Sequence, residues 1–258
     1  MSWINFDNVC GLSIPDGGLI IARYFERDKA NSLVNDSGLF FTTIDILRKE
    51  NDKYEGHFYE GYLSNFDFTT SGQRQFLHNS FKKNCIPMVS CWTVFDKNNI
   101  DNMRARYART DGSIVCISTV ERILDSLDTH EIGSHIVSVG QIRYESAERL
   151  AERLAGNQIQ RPVFSDASCR HFSYWSTDFL KMDTYRQENE IRFIAFQDSE
   201  DALLKSPDGL PIGMTIPFSH DSEPFEEIVC FPGVGDKMKG ELCRLSSSPV
   251  KDYSGSQL

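Results

Sequence analysis

The chain has 258 residues, of which 40% are hydrophobic and 12% aromatic, and its formal net charge is −10. This composition indicates a folded globular protein, long enough for one large domain or two small ones. The negative charge argues against non-specific binding to DNA or RNA, because Lys and Arg supply the affinity in such binding. No apolar run reaches the roughly 18–20 residues needed to span a bilayer, so no membrane association is expected.

Compartment and metal content are predicted from the N-terminus and the cysteines. The N-terminus lacks the basic-then-apolar order of a secretory signal. Seven cysteines are scattered and odd in number, a pattern that indicates reduced thiols in the cytoplasm. There is no Cys-x-x-Cys or His-Glu-x-x-His motif and no regular His/Cys spacing. We therefore expect a cytoplasmic protein without a metal site.

Short apolar and β-branched runs predict the strands in the first half of the chain. They cover residues 18–25, 39–43, 87–93 and 113–118. Helices are predicted at residues 28–35, 73–83 and 100–109. Residues 44–70, which are polar and aromatic with weak periodicity, are predicted to be a long ordered connection.

The second half of the chain mixes strands and helices without regular alternation. Strands are predicted at residues 135–144 and 191–196, and short β segments at 212–216, 227–231 and 242–245. Helices are predicted at residues 146–155, with Ser146 as N-cap, and at 174–181. This irregular order predicts the α+β class in a single domain over residues 1–245. The polar, Ser-rich residues 246–258 are predicted to be a disordered tail.

The segment Glu188-Asn189-Glu190-Ile191-Arg192 places charged residues at the mouth of the apolar strand 191–196. Side chains alternate across a strand, so Glu188, Glu190 and Arg192 are expected to share one face. Two adjacent carboxylates can orient a sugar and stabilise a cationic transition state. They can equally be ordinary ion-pair partners of Arg192, and the sequence leaves both interpretations open.

Several segments, taken in order, resemble an uncharacterised bacterial family, domain of unknown function 2971, across roughly residues 19–235. They are residues 21–25, 39–43, 51–56, 91–93, 102–117 and 181–192. The chain departs from the family pattern at Lys53, where proline is usual, and at Arg104, where tryptophan is usual. A further departure is Phe231, where the family often has glycine.

A second, more distant resemblance is to the ADP-ribosyltransferases. Their three-part signature is similar to Arg23 on a first strand, Thr42 or Thr43 on a later strand, and Glu188-x-Glu190 on a still later one. The resemblance implies an α+β fold with a split sheet and NAD as the substrate. Transfer of ADP-ribose to a macromolecule is the implied reaction.

The same resemblance implies roles for individual residues. Glu190 would stabilise the oxocarbenium charge on the ribose, and Glu188 would orient or deprotonate the attacking group. Arg23 would hold the pyrophosphate or ribose, and Thr42 would support Glu190 through a hydrogen bond. The remaining residues expected at the cofactor are aromatic, namely Tyr24 and Tyr107, with Trp92 as an alternative stacking partner.

The predicted function is therefore NAD-dependent ADP-ribosyl transfer, with a toxin or anti-phage effector role by analogy. The sequence names neither the acceptor, which can be protein or nucleic acid, nor the oligomeric state. The alternative is a non-enzymatic nucleotide-sensing or protein-interaction module, which would keep Arg23 and an aromatic lining without needing Glu190 for chemistry. A nuclease would call for a clustered acidic–histidine metal motif, which the sequence lacks.

Overall fold

The computed structural model describes residues 15–44, 46–47, 86–128, 138–150, 180–197 and 202–254 of the chain. The chain divides into two compact units, each assembled from three segments. Unit 1 comprises Met1–Ile14, Phe41–Val89 and Val137–Met214. Unit 2 comprises Pro15–Phe40, Ser90–Ile136 and Thr215–Leu258. The single domain over residues 1–245 stays a prediction.

Strands and short helices follow one another irregularly along the described residues. The strands are β1 (Ile20–Phe25), β2 (Gly38–Thr43), β3 (Ile86–Val94), β4 (Ile114–Thr119), β5 (Ser138–Gln141), β6 (Arg143–Glu145), β7 (Leu180–Met182), β8 (Glu190–Gln197), β9 (Leu204–Lys205), β10 (Pro211–Pro217), β11 (Glu227–Cys230) and β12 (Lys251–Asp252). The α-helices are α1 (Arg27–Asn35), α2 (Ile100–Tyr107), α3 (Val120–Ser126) and α4 (Asp236–Leu242). Short 3₁₀ helices occupy Lys97–Asn99, Asp183–Glu188 and Cys243–Leu245.

Unit 2 is built around β1. β1 pairs antiparallel with β4 along its whole length, from Ile20 opposite Thr119 to Phe25 opposite Ile114. Its other side pairs antiparallel with β3, with Ala22 opposite Thr93. β11 pairs antiparallel with β4, and β12 adds a parallel strand to β11. Because β1 has neighbours on both sides, it lies inside the sheet, and its side chains point alternately to the two faces.

One face of this sheet carries the apolar core of unit 2. The buried residues are Ala22, Ile100, Ala108, Val115, Ile117, Val229 and Phe231, with Tyr24, Phe95 and Tyr253 packed against them. The strand members of this set lie two residues apart, the spacing that brings side chains to one face of a sheet. Helix α2 contributes Ile100, and Ala108 follows directly after the helix.

Unit 1 contains the strand that carries Glu190. β8 pairs antiparallel with β5, from Ser138 opposite Ile194 to Gln141 opposite Ile191. A separate pair, β6 with β7, is parallel. Ile191, Phe193, Ile194 and Ala195 of β8 are buried, which explains the hydrophobic run in this part of the sequence. Segments β2 and β3 also pair within this unit, with Thr42 opposite Val89.

The α+β prediction is confirmed, since most described pairings are antiparallel and the helices are short. The predicted strands near residues 18–25, 39–43, 87–93, 113–118, 212–216 and 227–231 are all present, with ends shifted by a few residues. The predicted helices at 28–35 and 100–109 correspond to α1 and α2. The predicted helix at 73–83 and connection over most of 44–70 lie outside the described residues.

Four predictions in the second half of the chain are corrected. The strand predicted at 135–144 is, in its described part, two strands separated at Ile142, whose N–H donates to the Glu190 carbonyl at 2.8 Å; residues 135–137 lie outside the described residues. Residues 242–245, predicted as β, form the end of α4 and a 3₁₀ turn. The helix predicted at 174–181 is wrong at residues 180 and 181, because Leu180–Met182 is a strand, and residues 174–179 lie outside the described residues. The tail predicted to be disordered forms β12 and places Tyr253 on the core; residues 255–258 lie outside the described part.

Helix α3 was not predicted, yet its start is well defined. Thr119 is the N-cap, and its Oγ1 accepts a hydrogen bond from the Arg122 N–H at 3.3 Å. We expect Thr119→Ala to lower the free energy of unfolding by about 1 kcal/mol, because this N–H loses its acceptor. Thr119→Ser keeps the hydroxyl and should stay near wild type in urea denaturation. Equal losses in both variants would contradict the capping role.

The predicted cytoplasmic location is based on the cysteines and on the lack of a membrane-spanning run, so the state of the described cysteines and helices is relevant to it. Cys91, Cys116, Cys230 and Cys243 are free thiols. Cys116 and Cys230 are buried, and burial raises the pKa of both, to about 11 for Cys230. Among the described helices, none has the length and apolar character needed to cross a membrane. The cytoplasmic location stays a prediction.

Candidate functional site

The two predicted catalytic acids lie side by side in unit 1. Glu188 ends the 3₁₀ turn Asp183–Glu188, and Glu190 is the first residue of β8. Both side chains are buried, with 8% and 3% of their surface exposed. Asn189 between them adopts a left-handed conformation with φ 41°. The expected strand alternation therefore holds for Glu190 and Arg192 but not for Glu188, which precedes the strand.

Lys181 joins the two acids. Its Nζ donates to Glu188 Oε2 at 2.7 Å and to Glu190 Oε2 at 3.0 Å, and its side chain is also buried. The ammonium lies 4.8 Å from the centroid of the Tyr185 ring. The chain returns from β7 to β8 through the short 3₁₀ helix Asp183–Glu188, which brings residues 181, 188 and 190 together. The three side chains form one hydrogen-bonded unit.

Arg192 pairs with the opposite side of Glu190. Its Nε donates to Glu190 Oε1 at 2.6 Å and its Nη2 to Oε2 at 3.5 Å, and only 1% of the residue is exposed. Two acids and two bases thus form a buried cluster without formal net charge, which we call the charge cluster (Lys181, Glu188, Glu190 and Arg192). Balancing of this kind limits the penalty for removing charges from water.

The main chain of Glu190 is fixed on both sides. Its N–H donates to the Tyr144 hydroxyl at 2.9 Å, and its carbonyl accepts the Ile142 N–H. Burial raises the pKa of Tyr144, so the phenol stays protonated at neutral pH. The neighbouring Asn189 side chain accepts a hydrogen bond from Gln141 Nε2 at 3.0 Å. These contacts hold the main chain at residues 189 and 190 in place.

Arg23 lies in unit 2, at the centre of β1. Its Nη1 donates to the Phe40 carbonyl at 3.3 Å and to the Ser90 hydroxyl, and the guanidinium lies 5.0 Å from the Phe25 ring centroid. Burial lowers the pKa of Arg23 to about 10, so the group is cationic at pH 7. Within the described ranges, no carboxylate forms an ion pair with it. A cation in this setting favours binding of an anion.

The aromatic residues expected at the cofactor are separated within unit 2. Tyr24 follows Arg23 on β1 and so points to the opposite face, where it packs on the apolar core. Trp92 is buried, donates its Nε1–H to Ser90 Oγ at 3.1 Å and contacts Phe225, which fits a core residue. Tyr107 ends α2 and is 38% exposed. Of these rings, Tyr107 is the most accessible to a ligand.

Thr42 and Thr43 use their hydroxyls on the main chain of β10. Thr42 Oγ1 donates to the Ile212 carbonyl and Thr43 Oγ1 to the Pro211 carbonyl, both at 3.1 Å. The hydrogen bond expected between Thr42 and Glu190 is not formed among the described residues. Thr42, Glu188 and Glu190 belong to unit 1, whereas Arg23, Tyr24 and Tyr107 belong to unit 2. The convergence of the two groups on one ligand stays a prediction.

Sequence reasoning missed the parts played by Lys181, Tyr144 and Ser90. Lys181 stood out only as part of the family resemblance, and nothing in its spacing indicated that one turn returns it to both acids. A buried tyrosine hydroxyl that accepts a main-chain N–H leaves no sequence signal.

For metal binding, the described residues contain no cluster of three or more His, Cys, Asp or Glu side chains that could hold an ion.

No protein-family model and no curated protein sequence matches the chain. Among solved structures, the chain is similar to DarT of Thermus sp. 2.9 in complex with ADP-ribosylated single-stranded DNA. The identity is 12%, the match covers 94% of this chain and 97% of that chain, and the TM-score is 0.33. Likeness at this level carries no argument about fold or activity. The resemblance to the uncharacterised bacterial family therefore stays an expectation.

Proposed function

We propose that this protein is an NAD-dependent ADP-ribosyltransferase whose reacting acids are Glu188 and Glu190. The supporting observation is that two buried carboxylates share one ammonium, Lys181, through contacts of 2.7 and 3.0 Å. These contacts limit the separation of the two carboxylate oxygens to about 6 Å. Retaining glycosidases place their two carboxyl groups ~5–5.5 Å apart around a sugar carbon that becomes cationic, a separation that lies within this upper limit.

The proposed reaction breaks the bond between ribose C1′ and the nicotinamide nitrogen. The bonding electrons leave with nicotinamide, which becomes neutral, and positive charge develops on the ribose. The Glu190 carboxylate stabilises that charge, and Glu188 takes the proton of the acceptor as its oxygen or nitrogen attacks C1′. If water attacks instead, the product is free ADP-ribose.

Arg23 is proposed to bind the pyrophosphate of NAD. A guanidinium that keeps its charge and pairs with no described carboxylate suits a phosphate oxygen. The exposed ring of Tyr107 is proposed to stack on a base or on nicotinamide. Tyr24 is proposed to have a structural role, because it packs on the apolar core of unit 2. Thr42 is proposed to border the ligand without supporting Glu190.

The test is NAD cleavage by wild type and by Glu190→Gln. We expect the wild type to release nicotinamide and to transfer adenylate-labelled ADP-ribose to a protein or a single-stranded nucleic acid supplied as acceptor. Glu190→Gln should lower the rate of nicotinamide release by about 100-fold, since the charge that stabilises the transition state is lost. The assay follows nicotinamide by chromatography and the label by autoradiography.

Glu145→Gln is the matched control for this test. Glu145 is another buried glutamate of unit 1, held by Arg143 at 3.0 Å and outside the charge cluster. Its variant should cleave NAD at the wild-type rate. A wild type without turnover, or equal rates in wild type and Glu190→Gln, would overturn the proposed function.

A second candidate, a non-enzymatic nucleotide-binding or interaction module, is favoured by one observation. Both oxygens of Glu190 already accept hydrogen bonds from cations, Arg192 on one side and Lys181 on the other. An acid balanced in this way serves folding as well as it serves catalysis. Calorimetry with NAD and ADP-ribose separates the two candidates. A binding module would bind these ligands without turnover, and the Glu190→Gln variant would have the same affinity as wild type.

A further inference from the structure

The ammonium of Lys181 is the point at which the two acids of the charge cluster meet. Without a cation between them, two buried carboxylates at this separation repel each other strongly in a medium of low dielectric constant. Lys181 Nζ lies within hydrogen-bonding distance of both, and a third side of the ammonium faces the Tyr185 ring. The cation therefore holds the two acids together and fixes the distance between them.

The surroundings of Lys181 restrict where its ammonium can go. Its strand, β7, pairs with β6 so that Lys181 lies opposite Tyr144, whose hydroxyl accepts the Glu190 N–H. The main chains that carry Lys181 and Glu190 are thus connected through one tyrosine. Arg192 also donates to Glu190, through Nε and Nη2. Lys181 donates to both acids, so its charge acts on the pair.

We propose that Lys181 is a positioning residue that sets the geometry of Glu188 and Glu190 for group transfer. The inference rests on the proposed function and adds a third residue to it. Lys181 acts through the carboxylates and does not itself react. Its removal should slow the chemical step more than it weakens the binding of NAD.

The experiment compares Lys181→Met and Lys181→Arg in the full chain. Lys181→Met keeps most of the side-chain volume and removes the charge, so kcat should fall about 30-fold while KM for NAD changes less than about threefold. Lys181→Arg restores a cation that can bridge two carboxylates and should recover kcat to within about tenfold of wild type. Thermal melting followed by circular dichroism establishes that each variant is folded.

Lys239→Met is the control for loss of a lysine–carboxylate pair. Lys239 Nζ lies 2.7 Å from Asp252 in unit 2, away from the charge cluster in sequence and outside unit 1. Its variant should keep the wild-type kcat. A folded Lys181→Met with unchanged kcat would overturn the inference. If Lys181→Met does not fold, a folded Lys181→Arg with kcat more than about 100-fold below wild type would overturn it too.

A measurement without turnover separates this inference from the proposed function. In protein labelled with ¹³C at the glutamate carboxyl carbons, Lys181→Met should shift the resonances of both Glu188 and Glu190, whereas Lys239→Met should shift neither. Shifts at both acids would support the positioning role even if the wild type cleaves no NAD. A shift at one acid only, or at neither, would contradict it.

Discussion

Replacing Arg192 with leucine is expected to lower the free energy of unfolding by about 3–5 kcal/mol. Arg192 is almost wholly buried, and its Nε donates to Glu190 Oε1 at 2.6 Å. Without the guanidinium, the Glu190 carboxylate remains buried and loses one of its described cationic partners. The cost comes from this uncompensated charge and exceeds what the ion pair contributes relative to two apolar residues.

A double variant tests that explanation. Glu190→Leu together with Arg192→Leu removes both charges, and we expect it to recover at least half of the loss seen in the single variant. Arg122→Leu is the control, because Arg122 pairs with Glu226 at 3.8 Å while 35% and 39% of the two side chains are exposed. Urea denaturation should place that control within about 1 kcal/mol of wild type. A loss below about 1 kcal/mol in Arg192→Leu would mean that water reaches Glu190 in the variant.

The Arg192 variant also connects stability with the two candidate functions. If Arg192→Leu is folded at low temperature, an enzyme that relies on Glu190 should lose NAD cleavage together with stability, because the carboxylate is no longer held in one orientation. A binding module should keep its affinity for NAD. The Arg192→Leu variant therefore distinguishes the two functions: an enzyme loses NAD cleavage, whereas a binding module keeps its affinity for NAD.

Much of the fold follows from local pattern. Continuous apolar strands such as β4 and β8 are readable because both faces are buried, and α1 and α2 lie where helices were predicted. The pairing of Glu190 with Arg192 was also open to prediction, since residues two apart share a strand face. The strand that carries Glu190 and the ion pair between Glu190 and Arg192 are therefore predictable from the sequence pattern.

The rest of the site depends on contacts between residues far apart or on local turns. The 3₁₀ helix Asp183–Glu188 and the left-handed Asn189 bring Lys181 to both acids, and neither has a periodic signal. Helix α4 is polar, with Leu242 as its buried residue, so its sequence resembles a loop. Strand β12 has two residues and depends on pairing with β11. Ser-rich composition next to it predicted disorder, and tertiary contacts overrode that tendency.

Ending the chain after Val250 is expected to lower the free energy of unfolding by about 3 kcal/mol. The deletion removes β12, the Tyr253 N–H donated to the Cys230 carbonyl at 2.9 Å, and the Tyr253 ring, which packs 5.1 Å from the Phe231 ring. It also removes the Tyr253 hydroxyl that donates to Asp101 at 2.6 Å. Each hydrogen bond contributes about 1 kcal/mol, and a partly buried aromatic ring contributes a similar or larger amount.

Point variants separate these contributions. Tyr253→Phe keeps the ring and should lose about 1 kcal/mol, whereas Tyr253→Ala should lose roughly two-thirds of the effect of the deletion. The hydrogen bond to Asp101 raises the pKa of Tyr253 above its usual value of 10.0, so its stabilising contribution is present below that pH and is lost as the pH rises further. The difference between wild type and Tyr253→Phe should therefore shrink in alkaline solution. A deletion variant as stable as wild type in urea would contradict the structure of this segment, because contacts of this kind cannot be lost without cost.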